Sequence, residues 1–301
     1  MAEIYKIRSI GGCMKTAFDL YATNLKKIIL RTWLPALLAS LCVAASIVTL
    51  QLTSVVVASL MSTVFSLLAY ASATWFNCGI VSLLNGKSFR SNLPRVVALA
   101  LILLALGIVM VTLAQLAGAI PLFVKGLKGI NENIIMLSGA ITLASMLLFL
   151  LLALPLWYSG WRYLIEPDCR WVRVIGRDYL SGLKYWGFLF VIALLTLIIV
   201  ALIGVVLYMP MVIAGQAMAF DSMGTAMGDA SGLPSYFNVL VFLTALVVSF
   251  VSVYILAWVG ITFYYGYGHI EAKIKTRQAA GANNGAAVAI SKQTFYDNNA
   301  L

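Results

Sequence analysis

Charged side chains are scarce in this sequence. Asp, Glu, Lys and Arg make up 10% of its 301 residues, against about 25% in an ordinary soluble domain. Hydrophobic residues make up 62%, and the mean hydropathy is +1.00. A soluble globule of this size could not cover its surface with so few polar groups, so the composition excludes that class and predicts a membrane protein.

The sequence also lacks the patterns that enzymes and metal sites use. Its one histidine, His269, has no partner at metal-ligand spacing, and it has no nucleophile elbow, phosphate loop or dinucleotide loop. Four acids could pair around a metal, but each has Lys or Arg within a few positions, which favours solvated ion pairs. These acids are Glu166, Asp168, Asp178 and Glu271. We expect no catalytic residue, no metal and no cofactor.

Uncharged apolar runs predict where the chain crosses a membrane. Residues 32–86 contain no charge, and because one crossing takes roughly 20 helical residues, this run predicts two helices. The same argument along the chain predicts an all-α, polytopic membrane protein with six transmembrane helices in three hairpins. The expected helices are 31–52, 55–77, 94–120, 134–158, 185–208 and 238–266. The expected domains are a cytoplasmic N-terminal segment 1–30, a transmembrane domain 31–268 and a flexible cytoplasmic tail 269–301.

The basic residues predict the orientation. Under this topology 18 of the 20 lie on one side, and only Lys125 and Lys128 lie on the other. Lys and Arg concentrate on the cytoplasmic side of membrane proteins, so both termini are expected there. Six of the seven tryptophans fall near the same boundary, where indoles prefer to lie. The net charge of +10 is thereby explained without nucleic acid, and the expected location is the inner (plasma) membrane of a bacterium.

Two basic segments have the pattern of amphipathic helices. In 14–28 and in 171–186, apolar residues recur every three or four positions and basic residues occupy the other face. Helices of this kind lie in the membrane interface. Six cations on them are the candidate site for anionic lipid headgroups or an acidic partner: Lys15, Lys26, Lys27, Arg173, Arg177 and Lys184. The alternative is that they only anchor the helices and orient the chain.

The first segment carries a family resemblance. Phe18, Asn24, Leu25 and Lys26 match a stretch of the form F-x-x-x-x-x-N-L-K, and residues 182–184 repeat its end. The pattern resembles a broad group of bacterial six-helix inner-membrane proteins. That group includes the membrane domain preceding some glycerophosphodiester phosphodiesterases. Only a short polar segment follows the sixth helix, so the resemblance implies a fold and a location, and no phosphodiesterase activity.

The predicted spans contain few polar groups. No ionisable residue lies inside them, although ion-coupled carriers keep such groups near the bilayer midplane. Gln115 is the most internal polar side chain, and we expect it to make an interhelical hydrogen bond. Small residues at four-residue spacing predict close packing of the first hairpin or an oligomer interface. They are Ala36, Ser40 and Ala44, with Ala58, Ser62 and Ser66.

These features together predict a non-enzymatic membrane protein. We expect an accessory, scaffolding or regulatory subunit that acts through its cytoplasmic face, with a membrane-protein partner or self-association. The alternative is a transporter or flippase for a lipid or an apolar solute. A hydrated cavity between hairpins would favour the alternative, whereas a bundle whose polar groups are paired would favour the scaffold.

Overall fold

The computed structural model describes residues 4–52, 55–125, 131–230 and 232–298. These residues form nine α-helices and no β-strand. The helices are α1 Ile10–Leu52, α2 Val55–Asn85, α3 Phe89–Lys125, α4 Glu132–Ala153, α5 Pro155–Ile165, α6 Val172–Ile175, α7 Arg177–Leu183, α8 Trp186–Ala226 and α9 Phe237–Asn298. Six helical stretches are long and apolar enough to cross a membrane: α1, α2, α3, α4 with α5, α8 and α9. The expected all-α, multi-pass class is thus confirmed.

Several helices extend beyond the predicted spans. α1 begins at Ile10 instead of near residue 31, because the amphipathic pattern before the span continues one helix. α8 continues to Ala226 instead of ending near residue 208. α9 runs through His269, which is buried along with the next three residues. Residues 269–272, the beginning of the predicted tail, therefore lie in a packed helix, and the flexible tail stays a prediction.

The predicted fourth span is interrupted at Pro155. Proline has no N–H, so the carbonyl of Leu151 loses its usual donor four residues on. Trp186 Nε1 donates a hydrogen bond to this carbonyl at 3.0 Å, and Tyr179 Oη donates to the carbonyl of Leu152 at 2.8 Å. Side chains of α7 and of the start of α8 thus donate hydrogen bonds to the backbone carbonyls at the break between α4 and α5.

Within the membrane-crossing parts, hydroxyl groups and small residues join neighbouring helices. Ser46 and Ser62 hydrogen-bond between α1 and α2 at 2.7 Å. Ser138 on α4 donates to the carbonyl of Gly118 on α3 at 2.6 Å. The small residues Ala36, Ser40, Ala44 and Ala58 are buried, whereas Ser66 is exposed. The small residues of α1 therefore pack against other helices of the same chain.

The hydrophobic core lies mainly at one end of the bundle, where α1, α2, α5 and α9 meet. We call this the basic end; it comprises residues 4–31, 78–99, 155–186 and 261–277. The apolar stretches of α2, α3 and α4 are mostly exposed. In the most apolar 18-residue stretch of each helix, only 6%, 11% and 6% of the residues are buried. Gln115 is also exposed on α3, so the expectation that it is buried in a helix contact is wrong. Exposed apolar spans are what a lipid solvent requires.

Candidate functional site at the basic end

The six predicted cations are exposed in the structure, but they do not form one cluster. Three lie on α1, which packs against α2 and α9, and three lie on α6 and α7, which pack against α5. None makes an ion pair with another described residue. The α1 cations are Lys15, Lys26 and Lys27, and the others are Arg173, Arg177 and Lys184.

The first amphipathic segment forms the beginning of α1. Of its predicted apolar stripe, Ile28 is buried, Leu25 is half-buried, and Met14 and Tyr21 are half-buried against the core formed with α9. Only Phe18 of the stripe is strongly exposed. Protein therefore covers part of this stripe, and the interfacial position of 14–28 stays a prediction.

The second amphipathic segment keeps its apolar side chains outside the core. It consists of α6 and α7, which are separated by Gly176. Trp171 is 58% exposed, and Ile175 and Leu183 are also exposed. Arg177 lies among them on the exposed surface. This is the arrangement that an interfacial helix pair would present to headgroups, with apolar groups and cations side by side.

Behind this surface, one arginine contacts three carboxylates. Arg162 Nε lies 3.1 Å from Glu166 Oε2 and 3.8 Å from Glu271 Oε1, and its Nη1 lies 3.1 Å from Asp178 Oδ1. Asp178 is 3% exposed and Glu271 is 4% exposed. We call these four residues, with the three donors described next, the Arg162 cluster. Its ion pairs join α5, α7 and α9.

Each carboxylate of the Arg162 cluster also accepts a hydrogen bond from an uncharged side chain. Tyr158 Oη donates to Glu271 Oε1 at 2.5 Å, and Tyr267 Oη donates to Glu166 Oε1 at 3.1 Å. Cys169 Sγ donates to Asp178 Oδ2 at 3.1 Å. One guanidinium cannot neutralise three carboxylates, so these donors supply the remaining stabilisation that buried charges need.

The thiol of Cys169 is held in its protonated form. Burial raises the pKa of Cys169 to about 12, and the adjacent Asp178 carboxylate acts in the same direction. A nucleophilic or metal-binding cysteine requires a lowered pKa, because the thiolate is the reactive species. Cys169 therefore acts as a hydrogen-bond donor in this structure.

Arg95 fastens α3 to the same region. Its guanidinium donates to the carbonyls of Tyr163 and Glu166 at 3.1 and 2.7 Å, and to that of Pro167. These oxygens lie at the C-terminal end of α5, where helix carbonyls lack intrahelical donors. A cation also stabilises that end of the helix dipole. Through Arg95 and the Arg162 cluster, four helices are joined directly beneath the basic surface.

The acids of this region differ from their predicted state. They were expected to form solvated ion pairs, but Asp178 and Glu271 are buried, and Asp168 is exposed and outside the cluster. Across the residues that the structure describes, no group of His, Cys, Asp and Glu side chains has the arrangement of a metal site. The carboxylates are instead directed at Arg162.

The N-terminal segment before α1 packs against the end of α9. The backbone N–H of Arg8 donates to His269 Nδ1 at 3.0 Å, and the His269 ring stacks on Phe188 at 4.4 Å. Gly268 is required here, because a Cβ atom at that position would overlap the carbonyl oxygen of Ile4. His269 is thus a buried histidine with a hydrogen-bond partner.

Sequence reasoning missed the residues at the centre of this region. Arg162 and Arg95 had been counted only as orienting charges, and the tyrosines of the cluster had no assigned role. One local signal was available, since Arg162 and Glu166 are four residues apart on one helix face. Asp178 and Glu271 could not be found in this way, because they reach Arg162 only through the packing of α7 and α9.

No protein-family model, curated protein or solved structure matches this chain. The resemblance to the membrane domain of glycerophosphodiester phosphodiesterases therefore stays a prediction. The functional argument rests on the geometry of the basic end.

Proposed function

We propose that this chain is a non-enzymatic protein of the bacterial inner membrane, acting as an accessory, scaffolding or regulatory subunit through its cytoplasmic face. One contrast at the basic end carries the proposal. The internal carboxylates, tyrosines and arginines satisfy one another, whereas the six exposed cations have no ion-pair partner among the described residues. Exposed cations without ion-pair partners, on helices held together by internal ion pairs and hydrogen bonds, are suited to bind an anionic surface.

The proposed topology follows from the distribution of charge. Three helical hairpins would cross the membrane, with both termini and the basic end in the cytoplasm. In this orientation the cations of α1, α6 and α7 face the anionic leaflet or a membrane-protein partner beside it. The resemblance to the bacterial six-helix group supports the same location.

A transporter or flippase is the alternative. Such a protein needs a hydrated path, and ion coupling would add ionisable groups at midplane depth. The ion pairs of the described residues lie at the basic end. Polar contacts such as Ser46–Ser62 join helices within the spans. These paired polar contacts favour the scaffold, whereas a cavity of about 260 Å³ between α1 and α2 is the feature that a carrier could use.

The proposal is tested by co-purification in nanodiscs, with proteins and lipids identified by mass spectrometry. Two variants each remove three cations: Lys15→Gln/Lys26→Gln/Lys27→Gln and Arg173→Gln/Arg177→Gln/Lys184→Gln. A matched control, Lys87→Gln/Arg90→Gln/Arg170→Gln, removes three other exposed cations.

We expect a protein partner to be recovered stoichiometrically with the native chain and the control, and to be reduced with at least one of the two test variants. Equal recovery with all four proteins would overturn the assignment of the surface. A native protein that carries no stoichiometric partner would overturn the role as a subunit.

A further inference from the structure

We propose that the seam between α1, α2 and α9 at the basic end binds one anionic phospholipid with a small hydroxylated headgroup. The phosphate would contact Lys27 and Arg31, and the headgroup would enter a cavity in the seam. This inference rests on the proposed function only in placing the basic end at the inner leaflet.

The cavity is small and lies between three helices. Its volume is about 100 Å³, roughly three times the ~30 Å³ that a water molecule occupies in the liquid. A headgroup fits this space, whereas an entire acyl chain does not. Residues lining the cavity include Asn24, Ile28, Ile80, Leu84, Tyr264 and Tyr265.

Two tyrosines bring unpartnered hydroxyl groups to the cavity. Tyr264 is 8% exposed and Tyr265 is 1% exposed, their rings pack against each other, and the Tyr264 ring also packs against Trp161. Neither hydroxyl makes a hydrogen bond with any residue that the structure describes. Neither oxygen is among the fully buried, unpaired atoms of the described residues, so both hydroxyl groups reach accessible space and can hydrogen-bond a ligand that enters the cavity.

The charge needed for a phosphate lies on the same face of α1. Lys27 follows Asn24 by three positions, and Arg31 follows Ile28 by three, so both cations share the helix face that lines the cavity. Both are exposed. Two cations beside free hydroxyl groups match a phosphodiester that carries a hydroxylated substituent.

No described acid competes for these cations. Asp19 is the only acid in the described residues between 4 and 125, and it follows Lys15 by four positions and precedes Lys26 by seven. These three residues therefore share a different face of α1. On α9, the carboxylate of Glu271 is directed at Arg162.

The cavity also lies at headgroup depth. Arg31 directly precedes the uncharged run of α1, and Thr32 Oγ1 donates to Tyr254 Oη of α9 at 3.5 Å. This contact aligns the beginning of the run with position 254, so the cavity at positions 261–265 lies on its charged side. A lipid could keep its acyl chains along the apolar spans while its headgroup enters the seam.

The test measures lipid binding to the purified full chain by native mass spectrometry and by thermal stabilisation. The probes are phosphatidylglycerol, phosphatidylcholine and water-soluble glycerol 3-phosphate. Lys27→Gln/Arg31→Gln is compared with Lys15→Gln/Lys26→Gln, which removes the same charge from the other face. Tyr264→Phe/Tyr265→Phe removes only the two hydroxyl groups.

We expect the native chain to prefer phosphatidylglycerol to phosphatidylcholine. Lys27→Gln/Arg31→Gln should weaken phosphatidylglycerol binding by about tenfold or more, Tyr264→Phe/Tyr265→Phe by about fivefold, and Lys15→Gln/Lys26→Gln by less than about twofold. Equal losses in the two charge variants would overturn the proposal by showing diffuse attraction. Equal binding of both lipids, or of glycerol 3-phosphate and phosphatidylglycerol, would also overturn it. Recovery of a protein partner is a separate readout, so failure here is distinguishable from failure of the proposed function.

Discussion

At the scale of single residues, Arg162 determines how the basic end is held together. It balances Asp178 and Glu271, whose carboxylates are buried, and Glu166, which lies at the edge. Removing one partner from a buried ion pair costs far more than the pair itself contributes, because the remaining charge stays desolvated. Arg162 is therefore expected to be more sensitive to substitution than any of the exposed cations.

We expect Arg162→Met to lower the free energy of unfolding by about 3 kcal/mol, because it leaves buried carboxylates without a cation. The measurement is denaturant-induced loss of helical circular dichroism in detergent micelles. Arg170→Met, which removes an exposed arginine outside the cluster, should have little effect. Equal stability of the two variants would contradict the role assigned to Arg162.

Cys169 should resist alkylation in the folded protein. Its pKa is raised to about 12, so almost no thiolate forms at pH 8. The thiolate fraction should remain very small after an increase of one pH unit. The check is maleimide labelling followed by peptide mass spectrometry, with denatured protein as the positive control. Asp168→Cys places a thiol at the exposed neighbouring position and should react readily. Rapid labelling of native Cys169 would rule out the protonated donor.

At the scale of the elements, two contacts hold short segments against long helices. The N-terminal segment packs on α9 at Gly268, and α7 with the start of α8 caps the break before Pro155. The absence of a side chain at Gly268 leaves space for the backbone of Ile4. Pro155 lacks an N–H, so carbonyls before it accept hydrogen bonds from Tyr179 and Trp186 instead. Both contacts can be tested with substitutions that leave the rest of the helix intact.

Gly268→Ala should release the N-terminal segment, because the added methyl group would overlap the carbonyl of Ile4. We expect trypsin to cleave after Lys6 and Arg8 about tenfold faster, the factor that corresponds to ~1.4 kcal/mol of local opening. Gly260→Ala is the matched control, since a Cβ atom there meets nothing within 4 Å. Unchanged cleavage in Gly268→Ala would show that the segment is held elsewhere.

Trp186→Phe should destabilise the break between α4 and α5. The variant keeps an aromatic ring to stack on Phe190 but removes the N–H that satisfies the carbonyl of Leu151. The carbonyl would keep only the longer hydrogen bond from the Leu154 N–H at 3.4 Å, so we expect a loss of about 0.5–1.5 kcal/mol, which thermal unfolding followed by circular dichroism would detect. Trp171→Phe, at an exposed position, is the control. Identical melting temperatures would exclude Trp186 as a cap.

At the scale of the whole molecule, packing is uneven along the length of the helix bundle. The core is concentrated at the basic end, while α2, α3 and α4 expose most of their apolar windows. In lipid this exposure carries no hydrophobic penalty, so helices need close packing only where function or assembly requires a defined shape. The uneven core agrees with a protein whose working surface is one end of the bundle.

The proposed orientation predicts opposite accessibility at the two ends. In a chain whose native cysteines have been replaced, Asp229→Cys should react with an impermeant maleimide on intact cells. Arg90→Cys should react only after permeabilisation. Both positions are exposed, so burial does not confound the comparison. The reverse pattern would invert the topology and remove the basis for the proposed cytoplasmic surface.

The multi-pass class and the approximate location of the six helices could be read from the sequence, because hydropathy acts segment by segment through the surrounding solvent. Residues 32–86 predict two crossings whatever their neighbours are. The exact ends could not be read in this way. α1 and α9 extend beyond their apolar runs because amphipathic residues pack onto other helices, and Pro155 breaks α4 where neighbouring side chains satisfy the carbonyls.

The exposed cations followed from sequence alone, because charged residues on an amphipathic helix stay in a polar environment wherever the helix lies. Tertiary structure decided which face of α1 is covered and which acids meet Arg162. These ion pairs require atoms from distant segments to lie within about 4 Å of each other, and the local sequence does not predict that proximity. Hydropathy thus determined that six helical stretches of this chain are able to cross a membrane, whereas packing determined which of its side chains lie together at the basic end.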